Sequence, residues 1–183
     1  VAVEDGKTEI ILDPGVVFGT GLHPTTEDCL KAMAHLHGQS SLGRVLDLGT
    51  GTGILAIAAA RLGAEKVLAV DLNPLSVKTA RRNVRLNGLE GSIEVVKGMA
   101  EDFVEETADL VVANLHHSVI VKLLEKEGFM EKRWFIISGL LRSQVRETRD
   151  QLGERALYVA REWDQEGTWY TLLVRNDNER GRK

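Results

Sequence analysis

RVLDLGTGTGILAIAAARLGAEKVLAVD, residues 44–71, reads as a strand, a glycine turn, a helix and a second strand that closes on a single carboxylate. Val45, Leu46 and Leu48 form an apolar run broken only by Asp47, and beyond the glycines Ile54, Ile57, Ala58, Arg61 and Leu62 recur at helical spacing. Gly49, Gly51 and Gly53 alternate through the turn, so the backbone can take conformations closed to other residues and a ligand can reach the main chain without meeting a Cβ. The turn is expected to aim free N–H groups of the helix N-terminus at that ligand. Asp71 ends the second strand roughly 20 residues after the first glycine, the usual distance for a carboxylate that accepts both ribose hydroxyls. An adenosine-bearing cofactor is expected.

The details of the turn narrow the choice. A dinucleotide fingerprint needs Gly or Ala where Ile54 stands, for close packing of helix on strand. Asp47, two residues before Gly49, would repel a pyrophosphate and welcome an ammonium or a sulfonium. S-adenosylmethionine carries both cations and no phosphate, which makes it the expected cofactor. Asp47, Gly49, Gly51, Gly53, Asp71 and the adjacent Leu72 are the candidate contacts.

The 183 residues, 43% of them apolar, suit one compact domain. A formal charge of -4, with no basic cluster, argues against an unaided grip on nucleic acid or an anionic membrane. Cys29 is the single cysteine, so no internal disulfide and no thiolate set for zinc can form, and a cytoplasmic location is expected. No membrane-length apolar run occurs, and a monomer is favoured.

In chain order, residues 8–12 suggest a short strand leading into a turn-rich loop, DPGVVFGTGLHP. That loop is read either as a connector or as a lid over the cofactor. Thr25 or Thr26 is the expected cap of the next helix. After Asp71, Asn73 and Pro74 start a helix that Asn87-Gly88 ends. Strands follow at 93–97, at 110–113 ending on Asn114, and at 134–138, with helices marked by Val119, Leu123 and Leu124, then by Val145, Thr148 and Leu152. Residues 157–160 and 169–174 are two strands with no helix between them, hence an antiparallel hairpin. The expected fold is α/β: a doubly wound, seven-stranded, mostly parallel Rossmann-like sheet with an antiparallel C-terminal hairpin. Residues 1–24 are assigned to an N-terminal strand and lid loop, 25–175 to the catalytic domain, and 176–183 to a frayed tail.

DLGTGTG, the spaced Asp71 and the terminal hairpin together resemble a class I S-adenosylmethionine-dependent methyltransferase. DPGVVFGTGLHPTT, GILAIAAARLGAEKVLAVDLNP, VVANL, ISGLL and EGTWYTLLVR, in that order, resemble the bacterial ribosomal protein L11 methyltransferase family along nearly the whole chain. The resemblance implies methyl transfer to amino groups, of a lysine or an N-terminus, on a protein substrate such as ribosomal protein L11, with no metal. It implies cofactor contacts from Thr26, Gly49, Asp71 and Asn114, and a lid formed by Phe18, Gly19, Thr20 and Gly21. Asn114 is taken to position the reacting amine rather than to act as a base.

The family also carries an N-terminal recognition domain that nothing here matches. His116-His117 stand where the family has small or aliphatic residues, and are read as a helix start rather than a metal site. Met99 stands where many relatives of the wider class put an acid against the adenine amine, leaving a backbone group or Glu101 to serve. Two alternatives stay open: a stand-alone methyltransferase for another protein or a small molecule, and a non-catalytic S-adenosylmethionine-binding module.

Overall fold

The strand parity around the glycine turn sorts the molecule into layers. In the computed structural model, which describes residues 9–177, β1 (Arg44–Leu48) is flanked on one side by β2 (Lys66–Asp71) and β3 (Ile93–Lys97). On its other side lie β4 (Leu110–Asn114) and β5 (Trp134–Leu141). All of these pairings are parallel. Val45, Val67, Ile93 and Val112 point to one face, against α1 (Pro24–His37), α2 (Ile54–Arg61) and α3 (Pro74–Leu86). Leu46, Leu48, Val111 and Phe135 point to the other, against α4 (His117–Leu124), the short α5 (Glu127–Met130) and α6 (Arg142–Glu154). With both faces covered, the central strands have no polar side to show to water, and Asp47 in β1 is itself buried.

The returning hairpin consists of β6 (Leu157–Gln165) and β7 (Trp169–Asn176), and its second strand inserts between β5 and β6. β7 therefore runs antiparallel to both neighbours, giving the order β3-β2-β1-β4-β5-β7-β6. This is the expected doubly wound seven-stranded α/β sheet. Its direction of travel reverses between β1 and β4, so a crevice opens where Gly49 and Asn114 leave their strands.

Several local expectations give way. Thr8 lies outside the described residues, and residues 9–12 form no strand, because side chains take the bonds that a partner strand would. Ile11 donates its N–H to Asn87 Oδ1 and accepts from Asn87 Nδ2, while Asp13 N–H donates to Asn83 Oδ1. The cap of α1 is His23, not Thr25 or Thr26; its Nδ1 accepts the N–H of Thr25, and Pro24, which has no N–H to satisfy, takes the first helical position. β5 extends to Leu141 through a register shift between Ile137 and Leu140, which lets Gly139 bulge out of the ladder with β7. Asn176, assigned to a frayed end, belongs to β7; residues 178–183 lie outside the described residues.

The open edge at β3 is closed by Arg81, which donates from Nε and Nη2 to the carbonyl of Val95. At the opposite edge, β6 carries a bulge between Val159 and Arg161, an Arg149–Glu162 ion pair, and Arg161 donating to His35 Nδ1. Among the described residues no helix is long and apolar enough to cross a membrane.

Candidate functional site

The crevice at the carboxyl ends of β1, β2 and β4 is a cavity of about 730 Å³. One end is lined by Asp71, Leu72, Met99, Glu101 and Lys122, the other by Phe18, His23, Asn114, Gly139 and Trp169. The glycine turn forms the wall between them through Gly49 and Gly51.

The turn is tight because its own donors are used internally. Gly49 and Thr50 both donate N–H to the carbonyl of Val70, and Gly51 donates to Asp71 Oδ2 at 2.9 Å. Thr52 donates to Phe18 O, and Gly53 to Thr50 O. Every N–H from 49 to 53 thus has a protein partner, so the glycine turn itself offers a phosphate no nest. Gly51 has φ +56°, and a Cβ on it would lie 2.4 Å from the Phe18 carbonyl oxygen, so loop and turn are in direct contact. Gly53, a candidate cofactor contact, caps α2 instead and faces Ala80 of α3.

Asp71 is oriented at both oxygens. Oδ2 accepts from Gly51 and Oδ1 from the Asn73 N–H at 2.9 Å, and each oxygen keeps a lone pair free for a further donor. Asp47 lies elsewhere: strand parity turns it away from the cavity, to 1% exposure behind the turn. There the Thr50 hydroxyl donates to its Oδ2 at 2.6 Å. Burial pushes the Asp47 carboxyl up to about 7; the nearby charge of Asp71 adds to the rise, and the bonds from Thr50 and the Ala56 backbone oppose it. Burial likewise pushes the Cys29 thiol up to about 12, which leaves it an inert core group.

The loop of residues 14–23 crosses the turn and is fastened at Thr52. Besides the N–H bond to Phe18, the Thr52 hydroxyl donates to Gly19 O at 2.5 Å. The Thr52 carbonyl in turn accepts from Asn83 Nδ2, the same side chain that holds Asp13. Of the four lid candidates only Phe18 lines the cavity; Gly19, Thr20 and Gly21 do not. Thr26 does not line the cavity either, though its hydroxyl, on a residue 1% exposed, has no hydrogen-bond partner.

At the far end the chain assembles residues that no single stretch announces. The Asn114 amide donates from Nδ2 to Thr25 Oγ1 at 3.1 Å. Its Oδ1 and the Leu115 carbonyl oxygen both face Gly139, where a Cβ would lie 3.2 Å and 2.7 Å from them. His23 is held between two rings, with centroids 5.1 Å from Phe18 and 5.4 Å from Trp169. Two acceptor oxygens beside an aromatic wall can orient a group that carries N–H. His23, Leu115, Gly139 and Trp169 were not named as site residues from the sequence and Thr25 only as a helix cap, although all lie in the stretches that carry the resemblance; Gly139, inside the apolar run ISGLL, also has the mark of a bulge. His116 caps α4, its Nδ1 accepting from Ser118 N–H, and His117 lies 3.8 Å from Glu147.

The family model described as Ribosomal protein L11 methyltransferase (PrmA) matches residues 2–177. The ribosomal protein L11 methyltransferase of Desulforamulus reducens is 40% identical over 173 residues, which is 93% of this chain and 55% of that protein. The chain spans about half the length of the curated relatives it matches. A crystal structure of ribosomal protein L11 methylase from Lactobacillus delbrueckii subsp. bulgaricus superposes with a TM-score of 0.81 at 32% identity, covering 92% of this chain and 85% of that one. TrmK of M. capricolum, solved in complex with S-adenosyl-homocysteine, shares the fold with a TM-score of 0.63 at 16% identity, covering 79% of this chain and 67% of that one.

Proposed function

Because this chain belongs to the ribosomal protein L11 methyltransferase family, we propose that it transfers methyl groups from S-adenosylmethionine to amino groups of a protein, ribosomal protein L11 in the first instance. The observation that carries the proposal is the two-ended cavity. A carboxylate with free lone pairs, Asp71, stands at one end, and a pair of acceptor oxygens, Asn114 Oδ1 and Leu115 O, at the other. The residues suit this cofactor. The turn offers no N–H for a phosphate, and Asp71 can accept two ribose hydroxyls while Leu72 and Met99 supply apolar surface for a base. Asp47 places a titratable carboxyl behind the wall where a cation would sit, so its expected part is electrostatic rather than a direct contact.

The cofactor supplies an already activated methyl group. The protein's task is alignment and the exclusion of water, and positioning can contribute ~7–11 kcal/mol. A lysine of pKa ~10.4 must lose its proton before it attacks, at a cost of ~4.6 kcal/mol at pH 7. Partial burial between Phe18, His23 and Trp169 disfavours the charged ammonium and recovers some of that cost. The neutral amine keeps two hydrogens, which Asn114 Oδ1 and Leu115 O can accept while the lone pair stays free. No carboxylate or unprotonated ring nitrogen is placed to serve as a general base there, so the proton leaves to solvent before the amine is seated. Phe18 and His23 of the loop 14–23, which is fastened at Thr52, line the cavity and act as its cover. The proposed setting is the cytoplasm.

The test is radiolabelled methyl incorporation into purified L11, paired with calorimetry of S-adenosylmethionine binding without metal. Binding together with label on L11 amines is the expected result. Absence of binding would overturn the cofactor assignment. Binding without transfer to L11, even by the chain extended to its relatives' full length, would move the substrate to another protein or a small molecule.

A further inference from the structure

Behind Asn114 a hydrogen-bond chain has only one possible direction. It starts at the N–H of Thr25, the first donor of α1, which points at His23 Nδ1 from 3.3 Å. A backbone N–H can only donate, so Nδ1 is the acceptor and the neutral ring carries its proton on Nε2. Thr25 Oγ1 lies 2.8 Å from the same nitrogen. Since Nδ1 has no proton to offer, the hydroxyl hydrogen goes to it, and the lone pairs of Oγ1 are left to accept. The atom they accept from is Asn114 Nδ2, at 3.1 Å. Were the amide turned over, its oxygen would face a hydroxyl oxygen whose hydrogen is already committed. The helix cap thus decides that Oδ1, not the NH₂, looks toward Gly139 and the Leu115 carbonyl.

The chain is built to hold still. Thr25 is 1% exposed, and its carbonyl accepts from the Ser138 hydroxyl at 3.4 Å, with Ser138 and Thr171 bonded in turn. The His23 ring cannot rotate without losing its contacts with both Phe18 and Trp169.

We propose that His23 and Thr25 are positioning residues that set the polarity of Asn114, so that the acceptor end presents two oxygens to an incoming amine N–H. This rests on the methyl-transfer reading above, and the experiment separates the two.

Thr25→Val keeps the shape and the backbone N–H but removes the hydroxyl link; Thr25→Ser restores the link. With S-adenosylmethionine affinity measured in parallel, Thr25→Val is expected to lower kcat by roughly tenfold or more, leaving cofactor affinity within about twofold, and Thr25→Ser to recover most of the rate. Combining Thr25→Val with Asn114→Ala should add little to the loss from Asn114→Ala alone, because the two act as one unit. A wild-type rate in Thr25→Val, or losses that multiply in the double variant, overturns the proposal. Nitrogen-15 NMR gives a readout that needs no activity: His23 must show an unprotonated Nδ1, and the Asn114 NH₂ signals must shift in Thr25→Val. A proton on Nδ1, or unmoved amide signals, overturns the proposal even if methyl transfer is found. The expected NMR result in a protein that transfers nothing supports the chain and rejects only the methyl-transfer reading.

Discussion

The cavity at the carboxyl ends of β1, β2 and β4 has a near equal in size, a hollow of about 740 Å³ at the amino ends of β1, β2 and β3. Its lining includes Arg44, Lys66, Arg81, Arg85, Glu90 and Glu94. Three of those cations already serve the protein: Lys66 Nζ donates to Gly91 O at 2.6 Å, Arg81 to Val95 O, and Arg85 Nε to Arg81 O. The carboxyl-end cavity is the reverse. Its groups are fixed by bonds from behind, and their outward faces are free, as with Asp71 and Asn114. Volume does not separate the two; what does is whether polar groups are oriented and left unused, and in open α/β sheets that condition falls at the carboxyl ends.

The contrast breaks most visibly at the carboxylates. Asp71→Ala should weaken S-adenosylmethionine binding by ~100-fold or more, two charge-assisted hydrogen bonds at ~1.5–3 kcal/mol each being lost. Glu94→Ala in the opposite hollow should leave the affinity unchanged by the same calorimetry. A loss at Glu94, or none at Asp71, would remove the distinction. The glycines sharpen it next. Gly51→Ala puts a Cβ against the Phe18 carbonyl in a left-handed conformation and should cost ~1–3 kcal/mol in a urea titration. Gly91→Ala meets nothing within 4 Å and should stay within ~0.5 kcal/mol of the parent.

The smallest effect is the pH dependence that Asp47 confers on one end only. Its folded pKa of about 7 lies above the ~3.9 of an unfolded chain. The folded state therefore holds the extra proton between these values, and this group's contribution to stability falls as pH rises from ~4 to about 7, then levels off. Cationic ligands prefer the ionised form, so S-adenosylmethionine affinity should decline severalfold as pH drops through about 7. Asp47→Asn should flatten that profile, as titrations from pH 6 to 8 would show.

Much of this was readable in residues 44–71, because the sheet, the turn and the terminal carboxylate are local patterns of period and punctuation. Asp47 shows where local reading stops. Its spacing from Gly49 suggested contact with a cation, but in a strand alternate residues face opposite ways, and the layer behind the turn received it. Nor does the glycine pattern tell that the turn's own N–H groups are taken, by Val70 and Asp71 on the next strand and by Phe18 far upstream. His23, Gly139 and Trp169 come from separate stretches and meet because β7 inserts beside a bulged β5, a tertiary event whose one local sign is Gly139 itself.

Arg81 has a consequence outside the site. A seven-stranded sheet with two open flanks invites other molecules to lengthen it, strand against strand, until chains precipitate. On the β3 flank the Val95 carbonyl that an incoming strand would need is already held at two nitrogens by a charged side chain rooted in α3. On the β6 flank the bulge at Val159–Arg161 and the charges of Arg161 and Glu162 spoil the regular repeat that such stacking requires. The sheet is therefore self-terminating in both directions, and Arg81→Ala should show first as aggregation on storage.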